Sequence, residues 1–252
     1  MQGEIAASVA TGWRDAERVA VLTGAGMSAE SGIPTFRGAH NSLWQHFDPM
    51  QLATAEAFLA DPALVWGWYA WRMGRVRAAS PNAGHRALAT LAAARHIALV
   101  TQNVDDLHER AGSPDVVHLH GDLFAHRCFD CARSAPDLPL PDPETPRLRI
   151  EPPRCAHCGG RIRPGVVWFG EVLPESAWSR ALATVEHADL LLVVGTSGLV
   201  HPAAGLPAQA KRHGAVVVEI NPEATPISAL ADIVWRATAA LALPALAAAL
   251  AA

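Results

Sequence analysis

The sequence predicts an α/β protein: a Rossmann-like, doubly wound parallel sheet with a small zinc-ribbon and helical domain formed from two insertions. Three observations indicate this. Short runs of β-branched and other apolar residues recur along the 252-residue chain, with helical patterns between most of them. A glycine-rich turn follows the first run. The four cysteines fall in two Cys-x-x-Cys pairs, a spacing typical of a zinc site.

Seven apolar runs are predicted to be strands. They are residues 18–22, 96–101, 116–119, 165–168, 189–194, 215–220 and 232–235. The run Leu190–Val194 is apolar on both faces, which is typical of a strand covered on both sides in a parallel sheet. Helical patterns such as residues 83–95 lie between most of the runs, and this alternation favours helices on both faces of one sheet.

Two segments interrupt the alternation and define the expected domains. Residues 39–82 have a tryptophan-rich helical pattern, and residues 126–163 carry the four cysteines and seven prolines. We expect these two insertions to form the small domain together. The large, Rossmann-like domain then consists of residues 1–38, 83–125 and 164–252.

The paired cysteines predict one structural zinc ion, because four thiolate ligands leave no open position for catalysis. The predicted ligands are Cys128, Cys131, Cys155 and Cys158. The alternative is that His126 or His157 replaces one thiolate. Seven arginines oppose five acidic residues in this insertion, and four thiolates with Zn²⁺ would add −2. The module is therefore close to neutral, which disfavours a nucleic-acid-binding zinc ribbon.

Composition and charge exclude several classes of protein. Hydrophobic residues make up 50% of the chain and charged residues 17%, as in ordinary globular proteins. The net charge of −4 argues against a general nucleic-acid partner. The N-terminal sequence lacks the features of a signal peptide, and no apolar tract is long enough to span a bilayer. We expect a cytoplasmic monomer without a membrane or nucleic-acid partner.

The turn after the first strand predicts a nucleotide site. Gly24, Ala25, Gly26 and Ala29 fit the G-x-G-x-x-A pattern, in which glycines let the backbone approach a pyrophosphate at a helix N-terminus. A plain strand-to-helix turn is the alternative. The acidic residue that a dehydrogenase places about 20 residues further on is missing, so ordinary hydride transfer is disfavoured.

Polar residues also follow the other predicted strands, at the sheet edge where ligands bind. They are Gln102 to Asp105, His120, Gly195 to Ser197, and Asn221 to Glu223. Asn221 or Glu223 could hold the ribose hydroxyls in place of the missing acid. His120 precedes a glycine at a strand end, and histidine has an ordinary pKa near 6.5, which suits a general base.

These motifs together resemble the sirtuin family of NAD-dependent protein lysine deacylases over nearly the whole chain. The matching segments are residues 24–37, 101–108, 118–121, the two Cys-x-x-Cys turns, 165–171, 195–197 and 221–223. The resemblance implies NAD as co-substrate and acylated lysine side chains of proteins or peptides as partners. The acyl oxygen would attack the ribose carbon as nicotinamide leaves. The products would be lysine, nicotinamide and O-acyl-ADP-ribose.

The resemblance also implies residue roles. His120 would be the general base on a ribose hydroxyl, with Asn103 and Asp105 as its catalytic partners near the nicotinamide ribose. The implied NAD-binding residues are Gly24, Ala25, Gly26, Ala29, Glu30, Pro34, Thr35, Phe36, Arg37, Gln102, Asn103, Asp105, Gly195, Thr196, Ser197, Asn221, Glu223 and Ala237. The residues implied to pair with the substrate backbone by strand addition are Val167, Trp168, Phe169, Gly170 and Glu171.

Tyr69 and Arg72 predict the acyl group. They lie three residues apart in a helix-like stretch and share one helix face. A phenol hydroxyl and a guanidinium together bind a carboxylate, and the pair matches the Tyr-x-x-Arg signature of the sirtuin class that removes acidic acyl groups. We expect succinyl and malonyl groups to be removed, with some deacetylation. If Tyr69 only packs and Arg72 is only a solvated charge, a generic deacetylase remains.

Two other functions stay open from the sequence. One is protein mono-ADP-ribosyl transfer, in which a protein replaces water as the acceptor. The other is a zinc-dependent binding module without catalysis, which the presence of Asn103, Asp105 and His120 disfavours.

Overall fold

The computed structural model describes residues 2–34, 48–136, 138 and 147–252. In chain order the helices are α1 (Gln2–Asp15), α2 (Pro49–Leu52), α3 (Ala55–Ala60), α4 (Pro62–Ala78), α5 (Ala83–Ala94), α6 (Leu107–Arg110), α7 (Glu175–Glu186), α8 (Leu206–Arg212) and α9 (Ala239–Ala251). The strands are β1 (Val19–Thr23), β2 (Ile97–Thr101), β3 (Val117–His118), β4 (Gly121–Cys128), β5 (Ile162–Val166), β6 (Leu190–Val194), β7 (Val216–Ile220) and β8 (Ile233–Trp235). Short 3₁₀ turns cover Ala25–Met27, Ala29–Ser31, Ala203–Gly205 and Pro226–Ala229.

The chain divides into two compact units. The large unit consists of Met1–Gly32, Pro81–Leu119 and Pro174–Ala252, and the small unit of Ile33–Ser80 and His120–Leu173. Every described helix is too short or too polar to traverse a bilayer.

The large unit is built on a six-stranded parallel sheet with the order β3-β2-β1-β6-β7-β8. The residues of β1 and β6 are all buried, as their apolar sequences require. Helices α1, α5 and α9 pack on one face, and α7 and α8 on the other. This is the doubly wound arrangement that the sequence predicts. The strand order reverses between β1 and β6, and ligands bind at such a switch point.

The start of α5 shows how local chemistry positions a site residue. The Asn82 side chain accepts hydrogen bonds from the N–H groups of Gly84 and His85, and His85 Nδ1 accepts one from Asn82 N–H. This reciprocal capping satisfies donors that the first helical turn leaves open. It also fixes the His85 ring with Nε2 as the nitrogen that carries the proton.

The small unit contains an antiparallel pair, β4 and β5, in which Cys128 lies opposite Ile162. The sequence predicts residues 120–125 and 164–173 in the large domain, whereas they belong to the compact small unit, partly through this pairing. The predicted strand at 165–168 likewise does not join the parallel sheet. Its first two residues belong to β5 and its last two follow that strand, because the pairing with β4 ends at Val166.

Helix α4 supplies three of the buried aromatic side chains in the described part of the small unit. Asp61 caps its N-terminus by accepting from Leu64 N–H at 3.1 Å, and Pro62 occupies the first turn. Trp66, Trp68 and Tyr69 are buried.

Candidate active site

Four neighbouring strands of the large unit end at one edge, and the predicted site residues follow them. Thr23 and Thr101 lie opposite each other at the ends of β1 and β2, while Val194 and Ile220 end β6 and β7 in the same register. The segments that start from this edge begin with Gly24, Gln102, Gly195 and Asn221. The parallel register thus brings together segments that are far apart in the sequence.

The glycine-rich turn packs tightly on the loop after β6. Gly24 N–H donates to Val194 O at 3.0 Å, and Gly26 N–H donates to Gly195 O at 2.7 Å. A Cβ on Gly26 would lie 2.8 Å from Gly195 Cα, so a side chain is excluded here by neighbouring backbone. The predicted helix start is wrong: the chain continues as two 3₁₀ turns. Gly26 and Gly32, which disfavour a helix, account for the difference.

Thr196 accepts hydrogen bonds from two other polar side chains at this edge. Gln102 Nε2 donates to Thr196 Oγ1 at 2.9 Å, and Asn221 Nδ2 donates to the Thr196 carbonyl at 2.9 Å. Asn221 Oδ1 also accepts from Glu223 N–H at 3.2 Å. Both polar atoms of Asn221 therefore hold loops together, whereas the Glu223 residue is exposed. Of the two predicted ribose ligands, Glu223 has the more available side chain.

Ser28 joins two predicted catalytic residues. Asn103 Nδ2 donates to Ser28 Oγ at 3.1 Å, and Ser28 Oγ donates to Asp105 Oδ2 at 3.0 Å. Burial raises the pKa of Asp105, although hydrogen bonds from Leu107 N–H and Ser28 oppose this change. The amide and the carboxylate are thus fixed relative to each other before any ligand binds, which is how enzymes preorganise polar groups.

Two buried histidines lie behind this group. His85 Nε2 is 3.5 Å from Ser28 Oγ, and His108 Nε2 is 3.1 Å from Thr23 Oγ1. Their rings meet edge to face, with centroids 4.8 Å apart. Burial lowers the pKa of His85 to about 4 and that of His108 to about 3. Both rings are therefore neutral at physiological pH.

His118 holds the loop after β2 from another side. Its Nδ1 lies 3.0 Å from Asn103 O, and its Nε2 lies 2.7 Å from Glu109 Oε1. Burial is the largest single influence and raises the pKa of Glu109, but the hydrogen bond from His118, a backbone hydrogen bond and nearby imidazoles together lower it below its ordinary value.

The remaining predicted NAD-binding residues are scattered. Glu30 Oε2 accepts from Ala240 N–H at 3.0 Å and so caps α9, a favourable place for a negative charge. Ala237 is buried after β8. Ala25 and Ala29 are exposed on the large unit, and Ser197 is half-buried there. Pro34 belongs to the small unit. The residues that lie outside the described part of the chain are Thr35, Phe36 and Arg37, and their roles stay predictions.

His120, the predicted general base, lies in the small unit at the turn into β4. Val167 N–H donates to the His120 carbonyl at 2.8 Å. His120 is therefore held beside the first residue of the segment predicted to pair with substrate.

That segment has already used several of its backbone donors. Trp168 N–H donates to Glu171 Oε2 at 2.8 Å, and Phe169 N–H donates to Ala53 O at 2.9 Å. Buried Arg163 holds Glu171 in place through Nη2 at 2.9 Å, and its guanidinium stacks 3.4 Å from the Trp168 ring centroid. The Glu171 carboxylate therefore fixes the backbone of its own segment by accepting hydrogen bonds from Trp168 N–H and Arg163.

Tyr69 and Arg72 differ in their surroundings. Tyr69 is 1% exposed, and its hydroxyl accepts from Trp168 Nε1 at 2.9 Å. Burial raises the pKa of Tyr69 to about 12 against the opposing effect of Arg72, so the hydroxyl stays protonated and can donate. The Arg72 guanidinium lies 5.7 Å from the Tyr69 ring centroid and 4.8 Å from that of Trp68.

Arg72 lines a small cavity within the small unit. The lining residues are Ile33, Pro34, Trp71, Arg72, Arg75 and Val76. Its volume is about 20 Å³, room for about one water molecule, so an acyl chain needs additional space. Tyr69 packs outside this lining.

The four cysteine sulfurs lie within 4.8 Å of one another. Cys128 Sγ is 3.5 Å from Cys158 Sγ, and Cys131 Sγ is 3.8 Å from Cys155 Sγ. A tetrahedron with zinc–sulfur bonds of about 2.3 Å has edges of about 3.8 Å, so the cluster fits zinc. The four cysteines thus form the structural zinc site that the sequence predicts.

The two histidines weighed as zinc ligands have other contacts. His126 Nε2 lies 3.2 Å from Met73 Sδ, and His157 Nδ1 lies 3.2 Å from Arg133 Nη1. Neither histidine belongs to the cluster that the described residues form.

Several supporting residues were missed by sequence reasoning: Ser28, His85, His108, Arg163 and Glu109. Ser28 and His108 lie within the motif segments 24–37 and 101–108, and Glu109 directly follows the second. Their place in these motifs could have identified them as candidate site residues. Arg163 had none, because its partner is set by the β4–β5 pairing and not by local pattern.

Comparisons with known proteins agree with this geometry. Residues 24–202 match the Sir2 family. The chain is 50% identical over 240 residues to an NAD-dependent protein deacylase of Corynebacterium glutamicum, covering 92% of this chain and 91% of that protein. It is 59% identical over 211 residues to NAD-dependent protein deacylase 1 of Pseudomonas aeruginosa, covering 82% and 84%. A solved Sir2 homologue in complex with NAD has a TM-score of 0.89 and 45% identity, covering 97% of this chain and 93% of that chain.

Proposed function

The chain belongs to the Sir2 family, the sirtuins, and on that premise we propose that it is an NAD-dependent protein lysine deacylase with a preference for succinyl and malonyl groups. It also removes acetyl groups, at a lower rate. The observation that carries the acyl preference is the Arg72 guanidinium at a cavity, 5.7 Å from the ring centroid of Tyr69, whose hydroxyl stays protonated.

NAD fits the carboxyl edge of the large unit. The turn at Gly24 and Gly26 supplies backbone at the switch point, Gln102 and Asn221 fix Thr196, and the exposed Glu223 suits ribose hydroxyls. When bound, NAD supplies the ADP-ribose that accepts the acyl group. The net reaction converts acyl-lysine, NAD and water to lysine, nicotinamide and O-acyl-ADP-ribose.

The chain's own residues orient the reactants and move protons. Asn103 and Asp105, held together by Ser28, present an amide and a carboxylate in a buried setting, where polar groups act strongly on a bound sugar. His120 takes a proton from a ribose hydroxyl as general base. The structural zinc takes no part in these steps, because four thiolates fill its coordination sphere.

Binding of the substrate backbone falls to the segment 167–171. The N–H groups of Val167, Trp168 and Phe169 already bond within the small unit, and the Trp168 carbonyl accepts from Glu171 N–H at 3.0 Å. An added strand therefore has the carbonyl groups of Val167 and Phe169 as candidate partners. Arg163 and Glu171 hold this segment in place within the small unit.

Arg72 and Tyr69 read the acyl group in this proposal. Arg72 donates a charge-assisted hydrogen bond to the distal carboxylate of a succinyl or malonyl group. The bond from Trp168 occupies a lone pair of the Tyr69 oxygen, so the Tyr69 proton is available to the same carboxylate. An acetyl group reaches neither.

The proposal is tested with four peptides of one sequence, each mixed with NAD. They carry succinyl-, malonyl-, glutaryl- or acetyl-lysine. Nicotinamide release is measured by chromatography and the peptide product by mass spectrometry. We expect loss of the acyl group and the fastest release with succinyl or malonyl peptide. Gain of ADP-ribose by the peptide would instead establish mono-ADP-ribosyl transfer. Absence of nicotinamide release with every peptide would establish a non-catalytic binding module.

A further inference from the structure

A chain of hydrogen bonds in the large unit connects a buried imidazole to the loop that carries Asn103. Thr23 and Thr101 are register partners at the ends of β1 and β2, and Thr23 Oγ1 donates to Thr101 Oγ1 at 2.8 Å. Thr101 Oγ1 also accepts from Asn103 N–H at 3.0 Å. His108 Nε2 lies 3.1 Å from Thr23 Oγ1. Thr23 and Thr101 are 0% exposed and His108 is 1% exposed.

Counting protons fixes the direction of this chain. Thr23 has one hydroxyl proton, and it is used toward Thr101. The contact with His108 therefore requires the ring proton on Nε2, which donates to Thr23 Oγ1. No group within the described part of the chain hydrogen-bonds His108 Nδ1. The ring thus acts on this loop through Nε2.

Burial makes this path rigid. Water does not reach these hydroxyls to replace a lost donor, and an unsatisfied buried group is destabilising. The path ends at the backbone N–H of Asn103. The side-chain amide of Asn103 donates to Ser28 Oγ, and Ser28 Oγ donates to Asp105. His85 supports the same serine from the other side and packs on His108.

We propose that His108 is a positioning residue for the deacylation reaction: through Thr23 and Thr101 it fixes the turn that presents Asn103 and Asp105. This inference rests on the proposed function. It assigns His108 an effect on the step that releases nicotinamide, and none on acyl-peptide binding, since the segment proposed to bind the peptide, residues 167–171, lies in the small unit.

The nitrogen used by His108 allows a sharp test. Glutamine places an amide N–H near the position of Nε2, whereas asparagine places one near Nδ1. The variants are His108→Gln, His108→Asn and His108→Leu. Val9→Ala is the matched control, because it removes buried methyl groups in α1 away from this network. For each we measure kcat for nicotinamide release at saturating NAD, KM for acyl peptide, and zinc content.

We expect kcat to fall about tenfold in His108→Leu and in His108→Asn, with KM for peptide and zinc content unchanged. His108→Gln should stay within about threefold of wild type, and Val9→Ala should match wild type in kcat. Failure of glutamine to rescue, or an equal loss in Val9→Ala, would overturn the positioning role and leave His108 as a packing residue.

Failure of the proposed function is a separate outcome. If wild type releases no nicotinamide with any peptide, nitrogen-15 NMR of the imidazoles decides the network alone. An Nε2–H tautomer of His108 that becomes less protected from exchange in Thr23→Val supports the inference. An Nδ1–H tautomer overturns it.

Discussion

The two buried imidazoles make the stability of the large unit depend on pH in a direction that the structure determines. The pKa of His85 is about 4 and that of His108 about 3 because burial disfavours the charged ring, whereas an unfolded histidine titrates near 6.5. The unfolded chain therefore binds more protons between these values. The stability contributed by these rings is present above pH 6.5 and falls as the pH drops, to about pH 4 for His85 and about pH 3 for His108.

The expected size follows from the same values. Between pH 7 and pH 5 the folded rings stay neutral while unfolded histidine becomes protonated, so each imidazole lowers the free energy of unfolding by about 2 kcal/mol. Replacing His108 by glutamine removes one of these contributions. Wild type should therefore lose about 2 kcal/mol more than His108→Gln over this interval, whatever their difference at pH 7.

Urea unfolding of the zinc-loaded proteins at a series of pH values measures this difference. Effects of acid on the cysteine thiolates occur in both proteins and cancel in the comparison. Proton NMR of the two rings gives an independent check, since neither should titrate above pH 5. Parallel pH profiles in the two proteins, or a His108 ring that titrates near 6.5, would refute the argument from burial.

Three further outcomes are expected. Tyr69→Phe leaves the buried Trp168 indole N–H without its acceptor, so the free energy of unfolding should fall by about 1–3 kcal/mol; unchanged thermal unfolding would contradict this. His120→Ala should lower turnover by about 10²–10⁴-fold with fold and zinc intact, and near-wild-type turnover would exclude His120 as the base. Metal analysis should find one zinc per chain, lost together with β4–β5 structure in Cys155→Ser; a metal-free active protein would refute the zinc assignment.

The sequence predicts those features that repeat locally. Buried β-branched runs predict the parallel strands, and Cys-x-x-Cys spacing predicts the sulfur cluster. The G-x-G-x-x-A pattern predicts a helix start after β1, but the structure has 3₁₀ turns there. The pattern is local and therefore carries no information about Gly195, whose backbone packs against Gly26. The helix propensity of two glycines and that tertiary contact decide the 3₁₀ geometry instead.

Side-chain contacts between residues that are distant in the sequence could not be predicted from local sequence patterns. The acceptor role of Tyr69 depends on Trp168, and the orientation of Glu171 depends on Arg163 across the end of β5. The predicted Tyr-x-x-Arg pair consequently separates into a buried tyrosine and an arginine at a cavity. Their spacing in the sequence predicts that both residues lie on one helix. Their different surroundings depend on packing against segments that are distant in the sequence.

The matched variants for the acyl preference are Arg72→Met and Arg77→Met. Both remove one guanidinium from α4, but only Arg72 lines the described cavity. Arg77 stacks on Phe124, with its guanidinium 5.1 Å from the ring centroid. A change that appears in the first variant and not in the second therefore reports the position of the charge and not its loss from the helix.

The ratio of kcat/KM for succinyl peptide to kcat/KM for acetyl peptide tests the central claim most directly. A charge-assisted hydrogen bond contributes about 1.5–3 kcal/mol, so Arg72→Met should lower this ratio about 10- to 100-fold, while Arg77→Met should leave it at the wild-type value. A ratio that is the same in wild type and Arg72→Met would contradict the acidic-acyl preference and leave a generic deacetylase.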